Sequence, residues 1–119
     1  MAKLLLLCAV GLLLAVPAGA KSHYMNAPER YQAGSGGHAP PAQCQEWWDD
    51  AETIAYAKHV LAWPIEKLQG NLKPATEIGE EDHARMMQWI DEAYALPEGA
   101  PALRAWVKSK VDACMLERT

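Results

Sequence analysis

The chain has 119 residues, half of them hydrophobic, and its fifteen acidic and eleven basic side chains leave a formal charge of −4. That length fits one small domain with a single core. The acidic balance, with no basic stripe, excludes a nucleic-acid binder, which needs clustered Lys and Arg against phosphate.

Residues 1–20 read as a secretory signal peptide. Met1-Ala2-Lys3 is a short positive start, Leu4 to Val16 is apolar apart from Gly11, Pro17 ends the run, and Ala18-Gly19-Ala20 is an A-x-A cleavage sequence. A membrane span needs about 20 apolar residues, and this stretch stops short of that. Cleavage after Ala20 is therefore expected, with a periplasmic or secreted product and no stable membrane anchor. Lys3 and Cys8 leave with the leader, which takes the formal charge to −5 and leaves two cysteines, Cys44 and Cys114. In an oxidising compartment two thiols are expected to form one disulfide. By the chain-entropy model, closing a loop of about 70 residues stabilises a fold by about 4 kcal/mol.

Lys21 to Ala42, KSHYMNAPERYQAGSGGHAPPA, shows neither a two-residue nor a helical period and reads as a flexible arm. The helical domain is expected over 43–119. From Gln43 to Trp63 apolar residues fall at Cys44, Trp47, Trp48, Ala51, Ile54, Ala55, Leu61 and Ala62, the spacing of one helix face. Glu46, Asp49 and Asp50 suit the positive end of that helix, and Pro64 pushes Trp63 out of helical geometry. Tyr56, Val60 and Trp63 form a second stripe on the far side, at i, i+4 and i+7. Three readings of it stand: the returning segment covers it through Ile65 and Leu68, it is an exposed aromatic patch that anchors another protein, or it touches a membrane.

PIEKLQGN, from Pro64, reads as one or two helical turns with Gly70 as a left-handed stop, followed by a loop to Gly79. Glu80 to Leu96 is a second periodic helix, with His83, Met86, Met87, Ile90, Ala93 and Tyr94 along one face. Pro97 to Ala100 breaks it. A last helix starts at Pro101 and aligns Leu103, Trp106, Val107, Val111 and Cys114. Nothing alternates at period two, so the expectation is an all-α bundle of three main helices with a partly helical return segment. A Cys44–Cys114 bridge holds the start of the first helix against the end of the last, so those two run antiparallel. The short Pro97–Ala100 connection makes the last two a hairpin, and the first two main helices are then parallel.

Cleavage after Ala20 would expose Lys21-Ser22-His23. An amine, two deprotonated amides and an imidazole form the square-planar nitrogen set that Cu(II) and Ni(II) prefer, which makes Lys21 and His23 the metal candidates, with His38 as a further donor; otherwise these residues belong to a solvated arm. Asp49-Asp50 and Asp91-Glu92 are adjacent carboxylates, but neighbours on a helix point about 100° apart and do not converge on one reacting atom as acid-base work requires. They read as solvated faces. His59 and His83 have no nucleophile at a suggestive spacing, and Ser22, Ser35 and Ser109 have no evident base. No catalytic residue and no cofactor is assigned, and the chain reads as no enzyme. Met86 and Met87 could be soft copper ligands, but core filling suits them better. Lys58 and Lys110, on apolar faces, are expected to lay their stems along the core and reach water with the ammonium.

The combination of a leader, CQEWWDDAETIAYAKHV, MMQWIDEAYALP and a last helix closing on VDAC resembles a diffuse group of small exported proteobacterial two-cysteine helical proteins of unknown function. The resemblance covers Cys44 to Cys114 and implies the Cys44–Cys114 bridge, a periplasmic or secreted setting and no catalytic residues. In size, export and single bridge the chain is also similar to periplasmic acid-stress chaperones and to some periplasmic immunity proteins. The function expected is protein binding without chemistry, with Cu(II) or Ni(II) binding by the arm, or a periplasmic stress-chaperone or immunity-like role, as the alternatives.

Overall fold

The computed structural model describes Ser22–Asn26 and residues 42–117. The leader expected over 1–20, and Lys21 and His38, lie outside these residues. A 3-10 turn, Ala42–Cys44, leads into α1, Gln45–His59. Two short helices follow, α2 at Ile65–Gly70 and α3 at Ala75–Ile78. The long helices α4, Glu80–Tyr94, and α5, Ala100–Glu117, complete the bundle. Among the described residues there is no strand, only one antiparallel bridge between Met25 and Leu72. The all-α expectation holds.

Helix α1 is central and packs on both α4 and α5. It brings Trp48, Ala51, Ile54 and Ala57 to a core that α4 completes with Met86, Trp89, Ile90 and Ala93, and α5 with Leu103, Trp106 and Val107. Burying such side chains is the main force that holds three amphipathic helices together, at about 1.5–3 kcal/mol for each large one. The Cys44–Cys114 disulfide joins the start of α1 to the end of α5, with Cα atoms 5.9 Å apart, so α1 and α5 are antiparallel, as the sequence required.

One flank of the bundle alternates rings and cations. Trp47 meets Trp89 edge to face at 5.3 Å, and Trp89 meets Trp106 in the same way at 6.0 Å. The Arg85 guanidinium lies 5.2 Å from the centre of Trp47, and the Lys110 ammonium lies 5.2 Å from Trp89 and 5.6 Å from Trp106. The quadrupole of each ring favours both kinds of neighbour, so this stack adds directional attraction between α1, α4 and α5 to their apolar burial.

Several boundaries differ from the sequence reading. Helix α1 stops at His59, four residues before Trp63. The amides of Val60 and Leu61 both donate to the Tyr56 carbonyl, the Trp63 amide donates to Ala57 O at 2.9 Å, and Ala62 takes φ 54°. The chain thus turns off before the proline restriction acts. Gly70 lies inside α2 and does not end it; Asn71 does, with its side-chain amide donating to Lys67 O. Gly79, at φ 96°, makes the left-handed joint between α3 and α4 that a side chain would strain.

The largest departure concerns the arm. Ser22–Asn26 does not trail away from the bundle: Met25 is fully buried in the core, and Ser22 is 2% exposed. A five-residue extended segment carries no helical period, so pattern reading had no signal to find there.

Candidate functional site

The docked segment is tied to α1 by polar contacts. The Ser22 amide donates to Thr53 Oγ1 at 3.0 Å, and the Ser22 hydroxyl donates to Asp50 Oδ1 at 2.7 Å while accepting from the Tyr24 amide. Thr53 in turn donates to Asp49 O. The next residues clip onto the chain after α2: the Asn26 amide donates to Asn71 O and the Lys73 amide to Tyr24 O, each at 2.8 Å. The Tyr24 hydroxyl lies 2.9 Å from Glu46 and 3.0 Å from Asp82, sharing its one proton between two carboxylates. Burial and these two acceptors push the phenol far above its ordinary range.

Asp50 is the unusual group. It is 0% exposed, and its Oδ2 has no hydrogen-bond partner. Loss of hydration pushes it up to about 7; the Ser22 hydrogen bond and the Arg85 charge oppose that shift, while Glu46 and Asp49 add to it. The expectation of a solvated Asp49-Asp50 face is therefore corrected at Asp50. The amino-terminal segment lies across that side of α1 and excludes water from it.

The same docking bears on the metal reading. A square-planar chelate at Lys21-Ser22-His23 needs the Ser22 amide deprotonated, and that amide donates to Thr53, so chelation and docking compete for one nitrogen. His23 is exposed. Among the described residues no three or more His, Cys, Asp or Glu side chains gather into a metal cluster.

The three stripe residues reach the far end of the bundle but not one patch. Tyr56 and Val60 line a cleft of about 30 Å³ with Leu103 and Arg104, floored by the buried Glu52. Trp63 lines an open groove of about 640 Å³ with Lys58, Tyr94 and Glu98. Val60 is 51% exposed, whereas Trp63 packs against the core with the Lys67 ammonium 4.7 Å above its ring. The early stop of α1 separates them, because the i, i+4, i+7 register ends before position 63. The Tyr94 hydroxyl, pushed up to about 12 by burial, donates to Trp63 O at 2.9 Å and holds the groove wall.

The two lysines on apolar faces do not reach outward to water. Lys58 donates to Ala93 O at 2.9 Å and Leu96 O at 3.0 Å, satisfying carbonyls at the end of α4. Lys110 pairs with Glu92, which also accepts from Trp106 Nε1 at 3.1 Å. Burial alone would raise Glu92, but the bonds from Lys110, Trp106 and Gln88 outweigh it and hold the carboxyl below its ordinary value. Met86 is core, Met87 packs beside it, and Ser109 donates to Trp106 O. No family model, curated protein or solved structure matches this chain.

Proposed function

We propose that this is an exported, disulfide-clasped helical protein that binds another protein and performs no chemistry of its own. The observation that carries the reading is the pair of recesses flanking the end of α1, one lined by Tyr56 and Val60 and the other by Trp63. Val60, in the lining of the first, is half exposed, and aromatic side chains in shallow recesses are what protein interfaces use as anchors. Export rests on the apolar leader and its A-x-A sequence; the bridge fits an oxidising compartment. No helix among the described residues is long and apolar enough to cross a membrane.

The test is site-specific photo-crosslinking in the exporting cell, from position 60 and, as a control, from position 108 on the exposed side of α5. The expected result is one discrete adduct from position 60, lost in Tyr56→Ala and Trp63→Ala chains that keep their helical circular dichroism. Equal adducts from both positions, or adducts indifferent to both substitutions, overturn the assignment of this face.

A further inference from the structure

We propose that the docked segment Ser22–Asn26 is a latch that a proton on Asp50 holds shut, so that ionisation of this buried carboxyl releases the segment from the bundle. Three observations meet at the carboxyl. Asp50 is 0% exposed, and the segment is what covers it. Ser22 donates its hydroxyl to Asp50 Oδ1 at 2.7 Å and its amide to Thr53, three residues further along α1. The second carboxyl oxygen, Oδ2, has no hydrogen-bond partner among the described residues. As a neutral acid the group leaves one polar site unfilled; as an anion it is a buried charge with a single donor, and the second condition costs far more.

The charges that face Asp50 do not supply what the anion lacks. From α4, Arg85 is the cation that favours it, but that guanidinium is already paired with Asp82 at 2.9 Å. From α1, Glu46 and Asp49 repel it. The segment brings the single Ser22 hydroxyl, an exposed His23, and Tyr24, whose own hydroxyl is shared by Glu46 and Asp82. Loss of hydration therefore outweighs the Ser22 bond and the Arg85 charge, and the docked carboxyl rises from 3.8 to about 7. Once the segment leaves, water returns to that side of α1 and the group ionises in its ordinary range. The released state then binds fewer protons than the docked one, so docking is strongest below about pH 4. It weakens close to tenfold per unit up to about pH 7 and is level above that. The segment is a small enough unit to leave alone. Its hold consists of the Ser22 bonds, the Tyr24 hydroxyl, the buried Met25 and the two backbone bonds to Asn71 and Lys73, while the bridge and the long helices keep the rest together.

Amide hydrogen exchange of the oxidised protein, corrected for the intrinsic pH dependence of exchange, tests the latch. The Asn26 and Lys73 amides report docking, through Asn71 O and Tyr24 O, and the Ile90 amide, at a fully buried position of α4, reports the bundle. Between pH 5 and pH 7 the two docking amides are expected to lose about 50-fold in protection, with Ile90 better protected throughout. Asp50→Asn keeps an acceptor for Ser22 and cannot ionise, and its docking amides are expected to hold constant protection over the same range. Carboxyl NMR needs no variant: Asp50 of the wild type is expected to titrate near 7. Docking amides protected no less than Ile90 overturn the proposal, because the segment then leaves only when the bundle unfolds. A loss of protection that persists in Asp50→Asn overturns it by assigning the pH dependence to Glu46, Asp82 or His23, and so does an Asp50 that titrates in the ordinary carboxylate range.

Discussion

Lys58 and Lys110 occupy the same kind of position in the sequence, a long basic side chain on an apolar helix face, and both find a specific partner on α4. For Lys58 that partner is a pair of carbonyls where α4 ends, Leu96 O and Ala93 O, the second of which also accepts the Leu96 amide. A hydrogen bond from a charged donor is worth about 1.5–3 kcal/mol, and without Lys58 the Ala93 carbonyl keeps only its backbone donor. Lys58→Met, which keeps the stem, is expected to lower unfolding free energy by about 1–3 kcal/mol in urea titration, with little change in slope. Lys110 makes Glu92 easier to ionise in the folded chain than in the unfolded one. A carboxyl shifted down stabilises the fold above its unfolded value near 4.5 and loses that contribution as pH falls through the folded value. The acid limb of the stability profile is expected to flatten in Lys110→Met, as read by thermal melts between pH 3 and 6. Side-chain type and spacing show that a lysine lies beside the core. They do not show which backbone end or carboxylate meets it, because that depends on the helix packed opposite. Asp50 was illegible for the same reason: its neighbours along α1 are acidic, and the residues that cover it come from a segment without periodicity.

At the scale of elements, the long helices were legible because the 3.6-residue pattern is strong where a face is buried, and α4 and α5 begin within a residue of their expected starts. The end of α1 was not. Leu61, Ala62 and Trp63 continue the apolar content of the helix, and composition cannot tell a last turn from an apolar loop that folds back on the core. The physical stop is a backbone one, with Tyr56 O accepting two amides and Ala62 entering the left-handed region at φ 54°. For a residue with a Cβ that region costs about 1–2 kcal/mol, and glycine avoids it at an entropic cost of about 0.5–1 kcal/mol. Ala62→Gly is therefore expected to raise stability by up to about 1 kcal/mol, seen as a small upward shift in urea midpoint. A fall would mean that α1 runs on through position 62. The docked segment teaches the complementary lesson. Five residues held by two backbone bonds, one buried Met and a serine on a carboxylate are fixed by long-range partners alone, and local sequence is silent about such contacts.

Across the whole molecule the two ends of the bundle differ. At one end the disulfide, the 3-10 turn and the docked Ser22–Asn26 segment gather around the start of α1; at the other lie the Lys58 contacts and the two recesses. The layout was readable because two cysteines at the far ends of two helices permit one relative direction, which no propensity argument could have supplied. The bridge encloses a sequence separation of 70, so its removal frees the unfolded chain far more than it disturbs the folded one. Both sulfurs are fully buried, and alanine at each position leaves small apolar groups in place of a packed bridge. The Cys44→Ala, Cys114→Ala chain is expected to keep its helical circular dichroism and lose about 2–4 kcal/mol of unfolding free energy. Reduced wild type should unfold at nearly the same urea concentration as this variant. If the bridge acts as a tether alone, the loss appears in the midpoint, and crosslinking from position 60 persists under conditions where the variant is folded. Loss of that crosslink in a folded variant would mean that the bridge also shapes the recesses at the opposite end.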